Sequence, residues 1–404
     1  MTSSKVNPKE YELIHLTDYE LIKFTREQNS AAWKGRLTAD DYVIRDLVLG
    51  KSKIITKKPN GLMVFMLRKI SDQKPVSSIE LLIRRGWKFD YVNGEVVKKE
   101  VSTGCIGGVF TYPEHRGQGL AKIMVDKLME IAKTDILKED GFTFLYSEVG
   151  EYYAKSGFKS FEVPLVSIPL QTGKPEEGIS ENFKLLDYHT FEPYLKVHNE
   201  QLSKEIIKKV NKDHLSRVTL VPNSDLVDWF HLRCKYISYK LFHEEKHTKT
   251  IDFVNESYEE IVDNFIELDP KKFGIELFNE SNKSIGYIIW TFDWINRTEK
   301  YATVLKIVVI DGEDKDSTSL KLLSLLRNYL LKNEDIEGQT NIKIIVWESE
   351  LSQVNKEYVI EHWGSKAGLE NSSRSAILIN NEPEDKLLQS GQLIWEGNDK
   401  LSWF

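Results

Sequence analysis

"VFTYPEHRGQGLAK", residues 109–122, sets two glycines one residue apart behind an arginine, with an apolar β-like run before them and a helical pattern after them. A chain that passes from strand to helix through so little side chain can be making a plain corner. It can also be aiming several backbone N–H groups at one point. The first N–H groups of a helix lack intrahelical acceptors and carry the positive end of its dipole, so such a corner suits an anion, a pyrophosphate in particular. Gly117 and Gly119 have no Cβ to obstruct close approach, and Arg116 and Lys122 can add charge. A lone Gly-x-Gly fits either reading.

Outward from this corner, "LAKIMVDKLMEIAK" repeats Leu120, Ile123, Met124, Leu128 and Ile131 at helical spacing. Upstream, "VSTGCIGGVFTY", "SSIELLIRRGWKFD" and "GLMVFMLRK" read as strands, with a turn at Asn93-Gly94. "YELIHL" is a short first strand. Thr17 with Glu20, and Thr38 with Asp41, have the spacing of capping boxes that open two helices between. Downstream, "GFTFLY" reads as a strand, "SEVGEYYAKSGF" as a short helix capped by Ser147, and "FEVPLVSIPL" as one further strand.

At 404 residues the chain is longer than one core usually organises. "QTGKPEEGISEN" (171–182) reads as a linker, so two domains are expected, 1–175 and 176–404. Beyond it come two helical stretches, the strands "FGIELFN", "SIGYIIWTFDWI" and "YATVLKIVVI", the helix "TSLKLLSLLRNYLL", the strand "NIKIIVWES" and a helical "EHWGSKAG". That order repeats the first half in outline and points to an internal duplication.

Hydrophobic residues make up 41% and charged residues 29%, and the net charge is −7, which argues against a general nucleic-acid surface. Two cysteines exclude a disulfide framework, and the nine histidines show no metal-ligand spacing. No targeting pattern opens the sequence and no apolar run approaches the roughly 20 residues of a membrane helix. A reducing, cytoplasmic compartment is the expectation, without membrane or nucleic-acid partners.

"VFTYPEHRGQGLAK" resembles the acetyl-CoA signature of GNAT acetyltransferases, with Arg116, Gly119 and Ala121 at its specified places. "YYAKSGF" resembles the family's second signature through Tyr153, Gly157 and Phe158. With "LYSEVGEYYAKSGF" and "VPNSDLVDWFHLR", nearly the whole chain resembles the fungal free-lysine N6-acetyltransferases of lysine catabolism.

The resemblance implies an α/β (α+β, mixed-sheet) GNAT fold with a second, degenerate GNAT-like C-terminal domain. It implies acetyl-CoA as co-substrate, no metal, and a small-molecule amine acceptor, L-lysine, acetylated by direct transfer in a ternary complex. Val109, Phe110 and Thr111 would pair with pantetheine, and the N–H groups of Arg116, Gly117, Gln118, Gly119, Leu120 and Ala121 would hold the pyrophosphate beside Lys122. The N–H of Val109 would polarise the thioester carbonyl, and Tyr153 would protonate the departing thiolate.

One departure concerns the base. Where many members carry a glutamate on the strand before the loop, this chain has Cys105, expected to be buried, inert and without a nearby cation. Glu148 is a fallback base or a substrate contact. The last residues, "QLIWEGNDKLSWF", read as an ordered hairpin. By resemblance to tandem-GNAT relatives, including N-myristoyltransferases and some aminoglycoside acetyltransferases, the Phe404 carboxylate would serve as base. In "LVPNSDLVDWFHLRCKYISYK", Trp229 and Arg233 are candidate acceptor contacts, Arg233 for a carboxylate; an internal salt bridge is the other reading. Asp311, Glu313, Asp314 and Asp316 argue against a second CoA site. A peptide, protein or polyamine N-acetyltransferase and a non-catalytic acetyl-CoA-binding regulator stay open.

Overall fold

A computed structural model describes residues 6–58, 61–170, 182–246, 250–295, 299–333, 341–369 and 373–403. The first half runs β1 (Tyr11–Leu16), α1 (Tyr19–Trp33), α2 (Ala39–Gly50), a one-turn α3 (Lys53–Thr56), β2 (Gly61–Lys69), β3 (Pro75–Val92), β4 (Glu95–Thr111), α4 (Leu120–Ile131), β5 (Phe142–Ser147), β6 (Lys159–Glu162) and β7 (Leu165–Pro169). The second half opens with β8 (Phe183–Asp187), α5 (Glu192–Asp213), β9 (Ser216–Leu220), α6 (Ser224–Ser238) and α7 (Tyr258–Ile266). It continues with β10 (Lys272–Phe278), β11 (Ser284–Trp294), β12 (Glu299–Val309), α8 (Lys315–Asn333), β13 (Asn341–Trp347) and α9 (Gln353–Trp363). It closes with β14 (Lys366–Leu369), β15 (Arg374–Ile379), α10 (Glu382–Ser390) and β16 (Leu393–Trp395).

Local signals account for most of these elements. Thr38 caps α2 by accepting from the Asp41 N–H at 3.1 Å. At α1 the cap is Asp18, which accepts from Leu21 at 3.0 Å, one residue later than the expected Thr17. Asn93 and Gly94 take φ of 52° and 90°, the primed turn that a tight hairpin needs, and join the long strands β3 and β4. The apolar stripe of α4 buries Leu120, Ile123, Met124 and Leu128 against Leu81, Ile106 and Leu145 of the sheet beneath.

Among the described residues two mixed sheets form, and both follow one path. The first runs β1-β2-β3-β4-β5-β15-β6, with β9 and β16 attached at β3; the second runs β8-β10-β11-β12-β13-β7-β14. Along each path the fourth and fifth strands are parallel and all other neighbours antiparallel. The duplication expected from the order of elements is therefore a duplication of topology. The sixth strand of each sheet comes from the other half: β15 enters the first sheet between β5 and β6, and β7 enters the second between β13 and β14.

The exchange corrects the reading of "FEVPLVSIPL" as one strand. It is two strands in two sheets, broken at Pro164, whose missing N–H ends a ladder and whose carbonyl accepts from Glu348 at 3.0 Å. Three further expectations shift. Ser147 ends β5 and accepts from the Val149 N–H at 3.1 Å, so "SEVGEYYAKSGF" holds only a 3₁₀ turn at Tyr152–Ser156. "EHWGSKAG" covers the end of α9, a Gly364 cap with φ of 64°, and β14. "QLIWEGNDKLSWF" is no hairpin: β16 pairs in parallel with β9, and Lys400–Ser402 forms a single 3₁₀ turn. Of the linker stretch 171–182, all but Asn182 lies outside the described residues.

Twelve of the fifteen residues of α6 are buried, because it packs on α2 and α3 of the first half and on β11 of the second. Both halves thus close around one space. Among the described residues no helix is long and apolar enough to cross a membrane.

The exchange makes each sheet depend on the other half. Residues 1–170 produced alone would present β5 and β6 as unpaired edges with no strand between them. Expected is an aggregating or molten fragment, with a cooperative thermal transition only on co-expression with residues 171–404. A circular-dichroism melt checks this, and a monomeric fragment with a sharp melt would contradict it.

Candidate functional site

The parallel pairing of β4 with β5 runs from Thr103–Phe142 to Ile106–Leu145 and stops there. On its other side, β4 bulges: Glu80 faces Gly107 and Ser78 faces Phe110, so Gly108 and Val109 together stand opposite Ile79. Gly108 takes φ of +58°, and a Cβ there would lie 3.3 Å from both Asn29 Nδ2 and Glu80 Cγ. Glycine satisfies the dihedral and the close approach at once. The bulge turns β4 away from β5 and leaves Val109, Phe110 and Thr111 with no β5 partner among the described residues.

Past this open edge the chain makes a 3₁₀ turn, Pro113–His115, and reaches α4 through Gly117 (φ 77°) and Gly119 (φ 80°). Nothing lies within 4 Å of a Cβ built on either glycine. The dihedral explains the residue type, and the space above them admits an anionic group. Arg116 Nε donates to the Thr111 carbonyl at 3.0 Å with its guanidinium 5.1 Å over Phe110. Lys122 shares its charge with Asp126 at 2.5 Å.

A cavity of about 320 Å³ lies at the bulge end of this edge. It brings together Val109, Tyr153 and Glu148 from the first half with Trp229, Arg233 and Trp403 from the second. The glycine loop is not part of its lining and follows the other end of the strand. Tyr153 is buried, 6.2 Å edge-on from Phe158, and burial lifts its hydroxyl well above the ordinary phenol range. Glu148 is exposed and accepts from Trp33 Nε1 at 3.1 Å. Arg233 is only loosely engaged, 4.0 Å from Asp293. Trp403 stacks on Tyr146 at 4.7 Å and 8°. Phe404, the expected base, lies outside the described residues.

Sequence reading missed Glu80, which also lines the cavity. Burial pushes its carboxyl up to about 7; Arg26 opposes the rise, Asp46 adds to it and Arg45 opposes it. Two sequence signals mark the place. Glu80 interrupts the apolar run of β3 between Ile79 and Leu81, and the buried residues of α1 are all polar: Thr25, Arg26, Asn29 and Ser30. A helix that buries a polar face is lining a site instead of a core. Arg26 is itself buried, and its Nε has no hydrogen-bond partner among the described residues. Arg45, by contrast, forks onto Asp46 at 2.9 and 2.7 Å.

Cys105 is buried as expected, and burial pushes its thiol up to about 12. The expectation that no cation stands near is corrected, because Arg84 acts on it, though too weakly to offset burial. A group so rarely ionised at neutral pH is a poor base or nucleophile. Among the described residues no cluster of potential metal ligands forms.

Residues 167–404 match the family described as "LYC1 GNAT-like C-terminal domain", and residues 92–161 match the acetyltransferase (GNAT) domain. An uncharacterized protein of Saccharomyces cerevisiae, YGR111W, is 29% identical over 431 aligned residues spanning 96% of each chain. A lysine acetyltransferase of Yarrowia lipolytica is 29% identical over 163 residues, 36% of this chain and 40% of that protein. Among solved structures, a GCN5-related N-acetyltransferase from Anabaena variabilis superposes with a TM-score of 0.50 at 14% identity, covering 92% of this chain and 73% of that one. That likeness is one of fold.

Glu80 ties stability to pH. Its carboxyl sits at about 7 in the folded chain, above the ordinary 4.5. Its contribution is therefore complete below about 4.5 and is lost as pH rises through about 7. Glu80→Gln removes that loss, so its melting temperature should gain on the parent's between pH 5 and pH 7 and level off above. Scanning calorimetry across this range checks it; a constant difference would mean that the carboxyl titrates normally.

Proposed function

From the premise that this chain belongs to the family of the LYC1 GNAT-like C-terminal domain, we propose that it moves the acetyl group of acetyl-CoA to the N6-amine of free L-lysine. The chain is a GNAT acetyltransferase. The finer reading rests above all on one observation: the cavity between the halves carries charges of both signs around the β4 bulge. Arg26, Arg45 and Arg233 line it together with Asp46, Glu80 and Glu148. A volume of about 320 Å³ is at the small end of ligand pockets, roughly 300–1,000 Å³. A zwitterion with a second amine suits such a lining better than an apolar amine or a long peptide does.

The residues divide the work. The open edge Val109–Thr111 takes pantetheine as an added strand, and the N–H groups of 116–121 take the pyrophosphate. The Val109 N–H polarises the thioester carbonyl. Arg233 holds the acceptor carboxylate. Glu80 receives the proton of the attacking ammonium, and Tyr153 returns one to the leaving sulfur.

Magnitudes favour this assignment. A free ε-ammonium titrates near 10.4, so its proton moves to a base at about 7 against roughly 4–5 kcal/mol. That is a small part of an enzymatic barrier. Tyr153, lifted by burial, stays protonated as a donor must. Phe404 is retained as a second candidate base. The two free cysteines, both buried, suit the cytoplasm.

With L-lysine as acceptor, kcat/KM should rise with pH through about 7 as Glu80 ionises. Glu80→Gln should lower kcat by about 10²–10⁴ and flatten that limb, and Tyr153→Phe should lower kcat with acetyl-CoA affinity unchanged. Steady-state kinetics from pH 5.5 to 9 read all three. A two-glycine extension after Phe404 that abolishes turnover while Glu80→Gln keeps it would move the base to the chain end.

Acceptor identity is tested by competition among L-lysine, a lysine-containing peptide and spermidine. L-lysine should be preferred, and Arg233→Ala should raise its KM about tenfold or more while leaving spermidine, which has no carboxylate, unaffected. Preference for the peptide or the polyamine would overturn the lysine reading.

A further inference from the structure

The second sheet repeats the first up to the position of the open edge. β12 pairs in parallel with β13 from Glu299–Asn341 to Thr303–Ile345. A bulge in β12 follows, with Trp290 opposite Val304 and Ile289 opposite Lys306. Lys306 thus stands three residues past the last parallel pair, as Val109 stands past Ile106.

The chemistry at the two places is opposite. In the first half the strand edge past the bulge is open. In the second, the Ile307 N–H donates to Glu350 at 2.9 Å, so the donor an incoming strand would use is already occupied. Lys306 Nζ donates to Glu350 Oε1 and to Asp399 Oδ2, both at 2.7 Å. The three side chains keep only 16%, 2% and 8% of their surface exposed. Burial works against the charge on Lys306, and the two carboxylates more than offset it. Arg84 of the first sheet, also buried, donates to the Ser402 carbonyl at 2.8 Å.

Two of the residues gripped here, Asp399 and Ser402, belong to the C-terminal tail. Asp399 and Ser402 are fixed from the two sheets, and the next residue, Trp403, lines the cavity, stacked on Tyr146 and edge-on to Trp347 at 5.8 Å. A buried ion cluster adds little net stability over apolar packing, and its best-attested use is to fix one arrangement among several.

We propose that the notch of the second half is a clamp in which Lys306, itself held by Glu350, binds Asp399 and thereby sets Trp403 as a wall of the acceptor cavity. Lys306 is a positioning residue: it touches neither co-substrate. The proposal rests on reading that cavity as the acceptor site.

The test uses the full chain and the amine that the wild type prefers among L-lysine, a lysine-containing peptide and spermidine. Lys306→Met and Asp399→Asn should raise the acceptor KM about tenfold, with the acetyl-CoA Kd held within about twofold. Amide exchange across residues 396–403 should quicken in both. Trp403→Ala should raise the same KM, and the double variant with Lys306→Met should be no worse than Trp403→Ala alone. A folded Lys306→Met variant with wild-type acceptor KM, unchanged exchange, or a fully additive double variant would overturn the clamp. If Lys306→Met does not fold, Asn398→Cys with Ser375→Cys ties the tail to β15 where those side chains now bond at 2.7 Å. In the Asp399→Asn background, oxidation should then restore the acceptor KM, and failure to restore it would equally overturn the proposal. Should the wild type acetylate none of the amines, the functional reading falls, and the clamp stands or falls on the exchange of residues 396–403.

Discussion

A parallel pair of strands keeps its ladder only while both backbones share one surface, and β4 leaves that surface at Gly108. The rest of the site depends on this departure. It frees the edge Val109–Thr111 from β5, sets the cavity at the bulge, and brings the chain to the glycine corner that opens α4. Gly108 permits it through a backbone conformation other residues rarely adopt, with Asn29 and Glu80 packed where a side chain would be. Polar groups on α1 and a carboxylate on β3 fill the angle behind it, a costly lining that an ordinary core would exclude.

The second half repeats this plan and uses it differently. Its parallel pair also ends in a bulge, but a glutamate and a lysine occupy the place. Its contribution lies in strand exchange and in the tail. β15 completes the first sheet and β7 the second, so neither half has a finished sheet without the other. With α6 wedged between them, the halves enclose a volume whose walls come from both. A hinge between them would break a sheet.

Charge in this interior is arranged at the expense of stability. Glu80 sits where burial outweighs the pull of Arg26 and Arg45, which raises its carboxyl to about 7. Arg26 is buried with one nitrogen lacking a partner among the described residues. Groups of this kind are expected where a site sets the requirement and packing yields to it.

Features that depend on neighbours along the chain were legible in the residues alone. The capped helix at Thr38, the Asn93-Gly94 turn, the apolar stripe of α4 and the glycine corner each follow from residues a few positions apart. Their dihedral and burial preferences are local. Repetition of the element order was legible for the same reason, and the two signatures located Val109 and Tyr153, which the fold brings to one cavity. Strand pairing, by contrast, rests on contacts between distant segments. "FEVPLVSIPL" reads as one β segment, and its division between two sheets at Pro164 depends on partners roughly 175–220 residues away. Glu80 shows in the sequence only as a break in an apolar run, because its proton affinity comes from burial and from charges on α1 and α2. Likewise the tail pattern suggested a hairpin, whereas Lys306 and Arg84, distant in sequence, hold it along another course. Local patterns fix backbone preference; long-range pairing and the electrostatics of an interior exist only once distant segments share one space.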